Sequence, residues 1–215
     1  MLVPMCLVLA LGVSPAEAGE TTRETKNLVD LAERLCVSAD GDHRLTWHRA
    51  VAEGFVPIDP TDFGGRLTAI GVEDASLRGF TRTADSVEYR VLTAASWIQA
   101  PDQGQTFYRW CWVWASPTRL DPVVQDLQSV FRDRGFRSEK VRLFAWIPRL
   151  EGAVERVSRR TYMRWHNALA REQGMRQVMV RQIGDGVSIG YGSPRDEATY
   201  RDFDWAGPEP VPAPE

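Results

Sequence analysis

The chain has 215 residues, of which 43% are hydrophobic, 10% aromatic and 26% charged, with 26 basic and 29 acidic side chains. A chain this aromatic can bury enough apolar surface to offset its ordering entropy, so intrinsic disorder is excluded for the body of the protein. Collagen-like, coiled-coil and multi-span membrane classes are excluded with it, and the length fits one globular domain.

The first eighteen residues have the pattern of an export signal. The apolar run over 2–13 has the length of a signal-peptide core, and it is too short to cross a hydrocarbon layer of about 30 Å. Ala16-Glu17-Ala18 then fits the small-x-small pattern that signal peptidase cleaves. We therefore predict a signal peptide over 1–18, a periplasmic or secreted location, and no stable membrane span.

Cleavage at that site would leave two cysteines, Cys36 and Cys111, in the mature chain. Two cysteines in an exported protein favour a disulfide, because the compartment is oxidising. They lack the Cys-x-x-Cys or His-x-x-x-His spacing of a zinc site, so we expect no metal and no cofactor. The alternative is two separate thiols in the core.

Helical periodicity and helix-end signals organise the first half of the mature chain. Three helices are predicted, over 24–36, 42–54 and 121–135. The apolar spacing of the first helix directs Cys36 into the core, and in the second helix His48 lies near the apolar stripe, where a hydrogen-bonded core histidine is expected. The segment 153–172 fits either a helix or a strand.

Alternating hydrophobicity predicts a mainly antiparallel sheet on which these helices pack, and so a single α+β domain over 19–205. Strands are predicted at 67–69, 77–79, 87–91, 107–114 and 140–147, with a hairpin of 177–183 and 187–191, loops at 57–65 and 99–106, and a disordered Pro-rich tail at 206–215. Gly54-Phe55 and Gly135-Phe136 each end a helix before strands, which suggests an internal duplication.

Two motifs that carry chemistry elsewhere are assigned structural roles. Gly186 to Gly190 matches G-x-S-x-G, but a nucleophile elbow needs a helix after Ser188, whereas this segment forms a hairpin. The last histidine, His166, also precedes that serine, contrary to the hydrolase order. His43 and His48 are five residues apart and face different directions on a helix, so they are not a metal pair.

A block of basic residues stands out between acidic flanks. Residues 132–181 contain thirteen basic and five acidic side chains. Within the block Arg156, Arg160 and Arg164 recur every four residues, a spacing that places them on one side of a helix or of a strand. Tyr162 and His166 would share that side in a strand. We expect this row to bind an anion, such as a phosphate, an acidic sugar or a lipopolysaccharide head group; the alternative is a solvated face that balances the acidic remainder.

The chain resembles a loose family of small secreted proteobacterial proteins of unknown function. The resemblance covers residues 25–135 and rests on the export leader, the helix with Cys36, the segment Ala50-x-x-x-Gly54-Phe55 and the strand with Cys111. The resemblance implies a periplasmic location and a Cys36–Cys111 bridge. It supplies no catalytic residues.

The sequence nominates no catalytic residue, and we expect a non-catalytic binding module whose basic face takes an anionic envelope component or an acidic protein. The mature chain would have 26 basic and 28 acidic residues, so a nucleic-acid partner is not expected. Two alternatives remain: an envelope hydrolase whose catalytic residues the sequence does not identify, and a protein–protein interaction module without a small ligand.

Overall fold

The computed structural model describes residues 27–59 and 77–195, which build one nine-stranded antiparallel sheet with helices on both faces. The strands are β1 (Val56–Ile58), β2 (Arg78–Ala84), β3 (Val87–Ala100), β4 (Gly104–Ser116), β5 (Phe136–Ser138), β6 (Val141–Pro148), β7 (Val154–Arg156), β8 (Arg176–Ile183) and β9 (Gly186–Arg195). The helices are α1 (described over 27–37 and ending in the π-helical turn Glu33–Val37), α2 (His43–Ala52), α3 (Leu120–Phe131) and α4 (Arg159–Gln173), with a 3-10 turn at Leu150–Gly152. The predicted α+β fold is confirmed. The predicted leader, the strand at 67–69 and the Pro-rich tail lie outside the described residues.

The order of the strands places β4 and β9 at the centre of the sheet. The order is β1-β2-β3-β4-β9-β8-β6-β5, with β7 paired to β6, and every pair is antiparallel. Along the chain, α2 is followed by β1 to β4 and α3 is followed by β5 to β9. Each of these two series of strands therefore ends in one of the two central strands. The order of one helix followed by strands therefore occurs twice, with β7 and α4 inserted in the second series.

The first three helices cover one face of the sheet, here called the helix face. Residues of α1, α2 and α3 form a single apolar cluster with alternate residues of β3, β4, β8 and β9. Its largest member is Trp47, which is fully buried and donates from Nε1 to the Thr93 hydroxyl at 2.7 Å. Asp42 caps α2 by accepting from the Leu45 amide at 3.0 Å, as the sequence predicted.

The opposite face, here called the α4 face, has a smaller cluster beneath α4. It contains Tyr108, Trp110, Ala145, Ile147, Val157, Ala170 and Met175. Helix α4 begins after Ser158, whose hydroxyl accepts from the Thr161 amide, and ends at Gly174 in a left-handed conformation. The segment 153–172, which fits either a helix or a strand by its sequence, therefore contains the short strand β7 followed by helix α4.

Glycines on β9 make room for tryptophans on β4. Trp112 pairs with Gly190, where an added Cβ would lie 2.5 Å from the indole ring. Gly186 faces the Trp114 ring at the same distance. The glycines of the G-x-S-x-G motif thus belong to a hairpin, as predicted, and they serve packing because any side chain there would displace an indole.

Several predicted boundaries are wrong in instructive ways. Residues 99–106 are mostly strand, with the turn confined to 101–103, and β1 includes the first two residues of the predicted loop 57–65. Helix α3 starts at Leu120 rather than at Asp121, and it ends at Phe131, before the predicted end at Gly135, because Arg132 takes the left-handed conformation. His48 is exposed, because α2 buries the set His43, Thr46, Trp47 and Ala50 at three- and four-residue spacing.

The predicted disulfide joins the end of α1 to the middle of β4. Cys36 and Cys111 are bonded, their Cα atoms are 5.4 Å apart, and both side chains are buried. The bond closes a long loop, with a sequence separation of 75. Such a closure removes conformations from the unfolded chain and holds the helix layer against the central strand.

We expect that removing the disulfide destabilises the protein by about 4–5 kcal/mol, the loop-entropy value for a closure of this length. The measurement is urea unfolding of the parent protein with and without reductant, beside the double variant Cys36→Ala/Cys111→Ala. Reductant should lower the midpoint of the parent and leave that of the double variant unchanged. An equal midpoint for reduced and oxidised parent would contradict the expectation.

Candidate functional site

The structure separates the five residues of the predicted anion-binding row. Arg156 belongs to β7, where its guanidinium lies 3.8 Å from the Asp133 carboxylate. Arg160 and Arg164 are one turn apart on α4 and both are exposed. The row is broken because Ser158 starts the helix after Arg156. Two of the three arginines therefore remain together.

Tyr162 and His166 lie on the inner side of α4, away from the two arginines. Their rings stack at 5.3 Å, and Tyr162 packs against Phe136. The Tyr162 hydroxyl donates to the Gln177 side-chain oxygen at 2.5 Å. Burial raises the pKa of Tyr162 to about 12 and lowers the pKa of His166. Both side chains thus help to hold α4 on the sheet.

The outer surface of α4 is rich in exposed arginine and apolar side chains. We define the α4 surface as Arg159, Arg160, Met163, Arg164 and Trp165. Met163 is 55% and Trp165 44% exposed, and the Arg164 guanidinium lies 5.1 Å from the Trp165 ring centroid. Within the described part of the chain, none of the three arginines has a carboxylate partner. The surface therefore has uncompensated positive charge beside exposed apolar area.

A second charged group, which the sequence did not reveal, surrounds Asp40 in the loop between α1 and α2. The carboxylate accepts from Arg176 Nε and Nη2 at 2.6 and 2.9 Å, from the Tyr191 hydroxyl at 2.5 Å and from the Ser193 hydroxyl at 2.9 Å. Arg195 Nη2 lies 3.6 Å away. These partners come from β8 and β9, so one carboxylate fastens the loop to two strands.

The protonation states in this cluster follow from its partners. Burial pushes the pKa of the Asp40 carboxyl upwards, but hydrogen bonds from Arg176 and Tyr191 outweigh it, and the pKa lies below its ordinary value. Burial and the Asp40 charge raise the pKa of Tyr191. Asp40 is therefore an anion and Tyr191 a proton donor at neutral pH. Both arginine partners have largely buried side chains, which fits a structural role.

Next to this cluster, His43 is completely buried at the start of α2. Its Nε2 donates to the Trp110 carbonyl oxygen at 3.1 Å. Burial, assisted by the positive charge of Arg109, lowers the pKa of His43 to about 3. Burial and the nearby Arg195 lower the pKa of Arg109 to about 10. At neutral pH the histidine is therefore neutral and the arginine charged.

A cavity of about 300 Å³ lies between the start of α1 and the turn that joins β2 to β3. Two aspartates and two arginines line it: Asp30, Asp85, Arg34 and Arg82. Arg34 is bound to the Glu53 carboxylate, and Arg82 donates to the Glu53 carbonyl oxygen. The charges in the cavity balance, so it has less attraction for an anion than the α4 surface.

The chain has no match among protein-family models, curated proteins or solved structures. Within residues 27–59 and 77–195, no three His, Cys, Asp or Glu side chains are grouped so that they could hold a metal ion. In the same ranges no helix is long and apolar enough to cross a bilayer.

Replacing Asp40 by asparagine should cost about 1–2 kcal/mol of unfolding free energy, because Arg176 and Arg195 lose their counter-charge. The value is modest because the Asp40 side chain is 47% exposed and water screens the pair. The control is Asp102→Asn, an exposed aspartate with the same left-handed backbone, φ 61° against 45°. Urea unfolding at pH 7 should give a lower unfolding free energy for Asp40→Asn than for Asp102→Asn. This difference should shrink as the pH falls below 3.8, the ordinary pKa of an aspartate, and vanish below the lowered pKa of Asp40 in the folded protein, since a protonated Asp40 resembles asparagine. Equal stabilities at pH 7 would contradict the role of Asp40.

His43 should make the protein sensitive to mild acid. An unfolded chain protonates this histidine near pH 6.5, whereas the folded protein resists protonation down to about pH 3. The unfolded state thus binds more protons in that window, and stability falls as the pH falls, by up to about 1.4 kcal/mol per unit. His43→Gln, which retains a donor for Trp110, should flatten the dependence of unfolding free energy on pH between 6.5 and 4. His48→Gln on the exposed side of the same helix should not, and identical slopes for both variants would refute this account.

Proposed function

We propose that the protein is an exported binding module that attaches to phosphate-bearing lipid head groups of the cell envelope through its α4 surface. The predicted leader supports export, and the Cys36–Cys111 disulfide is compatible with an oxidising compartment. The periplasm or the outside of the cell is the location that both features favour.

The observation that carries the proposal is the composition of the α4 surface. Three arginines without carboxylate partners in the described chain share α4 with Met163 and Trp165, which are about half exposed and flank the Arg160–Arg164 side of the helix in opposite directions. Guanidinium groups bind phosphate oxygens with paired N–H donors. Exposed Trp and Met side chains beside them suit the boundary between head groups and acyl chains. Arginine alone would favour any anion, and the apolar pair favours a lipid surface.

The test is co-sedimentation of the mature protein with vesicles of phosphatidylcholine, with and without phosphatidylglycerol. Each arginine near an anionic surface contributes about 1 kcal/mol, so Arg160→Ala/Arg164→Ala should weaken binding to the anionic vesicles about thirtyfold. Added salt should weaken binding of the parent protein, because it screens the charges.

The matched control is Arg119→Ala/Arg134→Ala, which removes the same charge from exposed positions outside α4. This variant should bind nearly as the parent does. Equal losses in the two double variants would mean that net charge alone drives attachment. Equal binding of the parent to neutral and anionic vesicles, or no binding to either, would also refute the proposal.

A further inference from the structure

The half of the α4 face that α4 leaves open combines tryptophan and arginine in one place. Strand pairing sets Arg181, Ser188, Trp114 and Arg90 side by side in a row across β8, β9, β4 and β3. In the next row Trp112 is two residues from Trp114 on the same side of β4. We define these five residues as the tryptophan cleft.

Ser188 sets the two indoles apart. The Trp112 ring leans over its direct partner Gly190, whereas the Trp114 ring lies against Gly186, two residues from its own partner Ser188. At the position paired with Trp114, the Ser188 side chain fills space that would be open to the indole ring if this residue were glycine. The two rings therefore lean over different glycines, and Ser188 is between them.

The inner side of Trp112 is already occupied. Its ring stacks on Trp110 at 5.6 Å and 15°, and Trp110 stacks on Tyr108 at 5.0 Å and 22°, beneath α4. Trp114 is bordered instead by the Arg90 guanidinium, 5.2 Å from its ring centroid. Both Trp112 and Trp114 are partly exposed, so each offers ring surface to a ligand.

The charges around the cleft are unequal. Arg90 is paired with Glu88 at 2.7 Å. Arg181 is exposed and has no carboxylate partner among the residues that the structure describes. The cleft therefore offers one guanidinium to an incoming anion, with a carboxylate–guanidinium pair nearby for polar groups, whereas Ser188 is buried.

We propose that the tryptophan cleft binds a sugar ring that carries a carboxylate or a phosphate. Indole faces are electron-rich and attract the C–H bonds on the flat side of a sugar ring. The guanidinium of Arg181 binds the anionic oxygens through parallel N–H donors. The Glu88–Arg90 pair binds ring hydroxyl groups. The cleft shares no residue with the α4 surface, so this inference and the lipid proposal stand or fall separately.

The test is isothermal titration calorimetry of the mature protein with four probes: oligogalacturonate, a neutral gluco-oligosaccharide of equal length, glucose 6-phosphate and inorganic phosphate. We expect oligogalacturonate or glucose 6-phosphate to bind with a Kd of about 1 mM or tighter. The neutral oligosaccharide and inorganic phosphate should bind at least about tenfold more weakly, since each lacks one half of the recognition. Which of the two acidic sugars binds more tightly identifies the anionic group.

Two variants place the binding in the cleft. Arg181→Ala changes an exposed side chain and should reduce affinity for the acidic sugar at least about tenfold, as Trp114→Ala should. Arg134→Ala is the charge-matched control and should bind as the parent does, and Arg160→Ala/Arg164→Ala should leave the affinity unchanged. Circular dichroism checks that each variant is folded. If Trp114→Ala does not fold, the affinity of Arg181→Ala for the acidic sugar is the test. The inference would be overturned if Arg181→Ala bound the acidic sugar as tightly as the parent does, or if neither acidic sugar bound. It would also be overturned if neutral and acidic sugars bound equally, or if inorganic phosphate bound as tightly as glucose 6-phosphate.

Discussion

The pairing of β4 with β9 is the constraint on which the rest of the structure depends. On the α4 face, glycines of β9 receive the indoles of β4, and a single Cβ at Gly190 would collide with Trp112. On the helix face, the same pair sets Cys111 opposite Tyr191. Cys111 binds α1 covalently, and Tyr191 donates to Asp40 in the loop that follows it. A register shift of one residue would exchange the two faces and undo all three contacts.

The sheet divides the basic block of the sequence into an arginine paired with Asp40 and arginines that stay exposed. Arg176 lies on the helix-face side of the structure, where Asp40 neutralises it and the strands bury most of its side chain. Arg160, Arg164 and Arg181 remain exposed. A local excess of positive charge in the sequence is therefore not a measure of positive surface, because the partly buried Asp40–Arg176 pair neutralises part of it and only the remaining arginines can attract a ligand.

The sequence predicted the elements whose signals are local. Asp42 and Gly54 bounded α2, and the apolar run around Cys111 indicated a central strand. Helix α4 was left open because a four-residue arginine repeat fits helix and strand alike, although Ser158 and Gly174 mark its two ends. The Asp40 cluster could not be predicted, since its bonds join residues 136 to 153 positions apart. The tryptophan cleft was missed for a related reason: alternate glycines and tryptophans are visible in the chain, but their pairing is a property of the sheet.

The two faces of the sheet differ in how their contacts are held, and this difference bears on function. The helix face contains the disulfide, the buried His43 and the Asp40 cluster, which together fix the loop and the first two helices to the central strands. The α4 face is held by a smaller apolar cluster and has the exposed arginines and partly exposed tryptophans. The disulfide and the Asp40 cluster hold the helix face to the central strands, so the α4 face can expose charged and aromatic groups on a sheet that these contacts already order. The exposed arginines of this face can change in sequence at low cost to the fold, because they are not among the residues that set the register, whereas Trp112 and Trp114 are held by their packing on the β9 glycines.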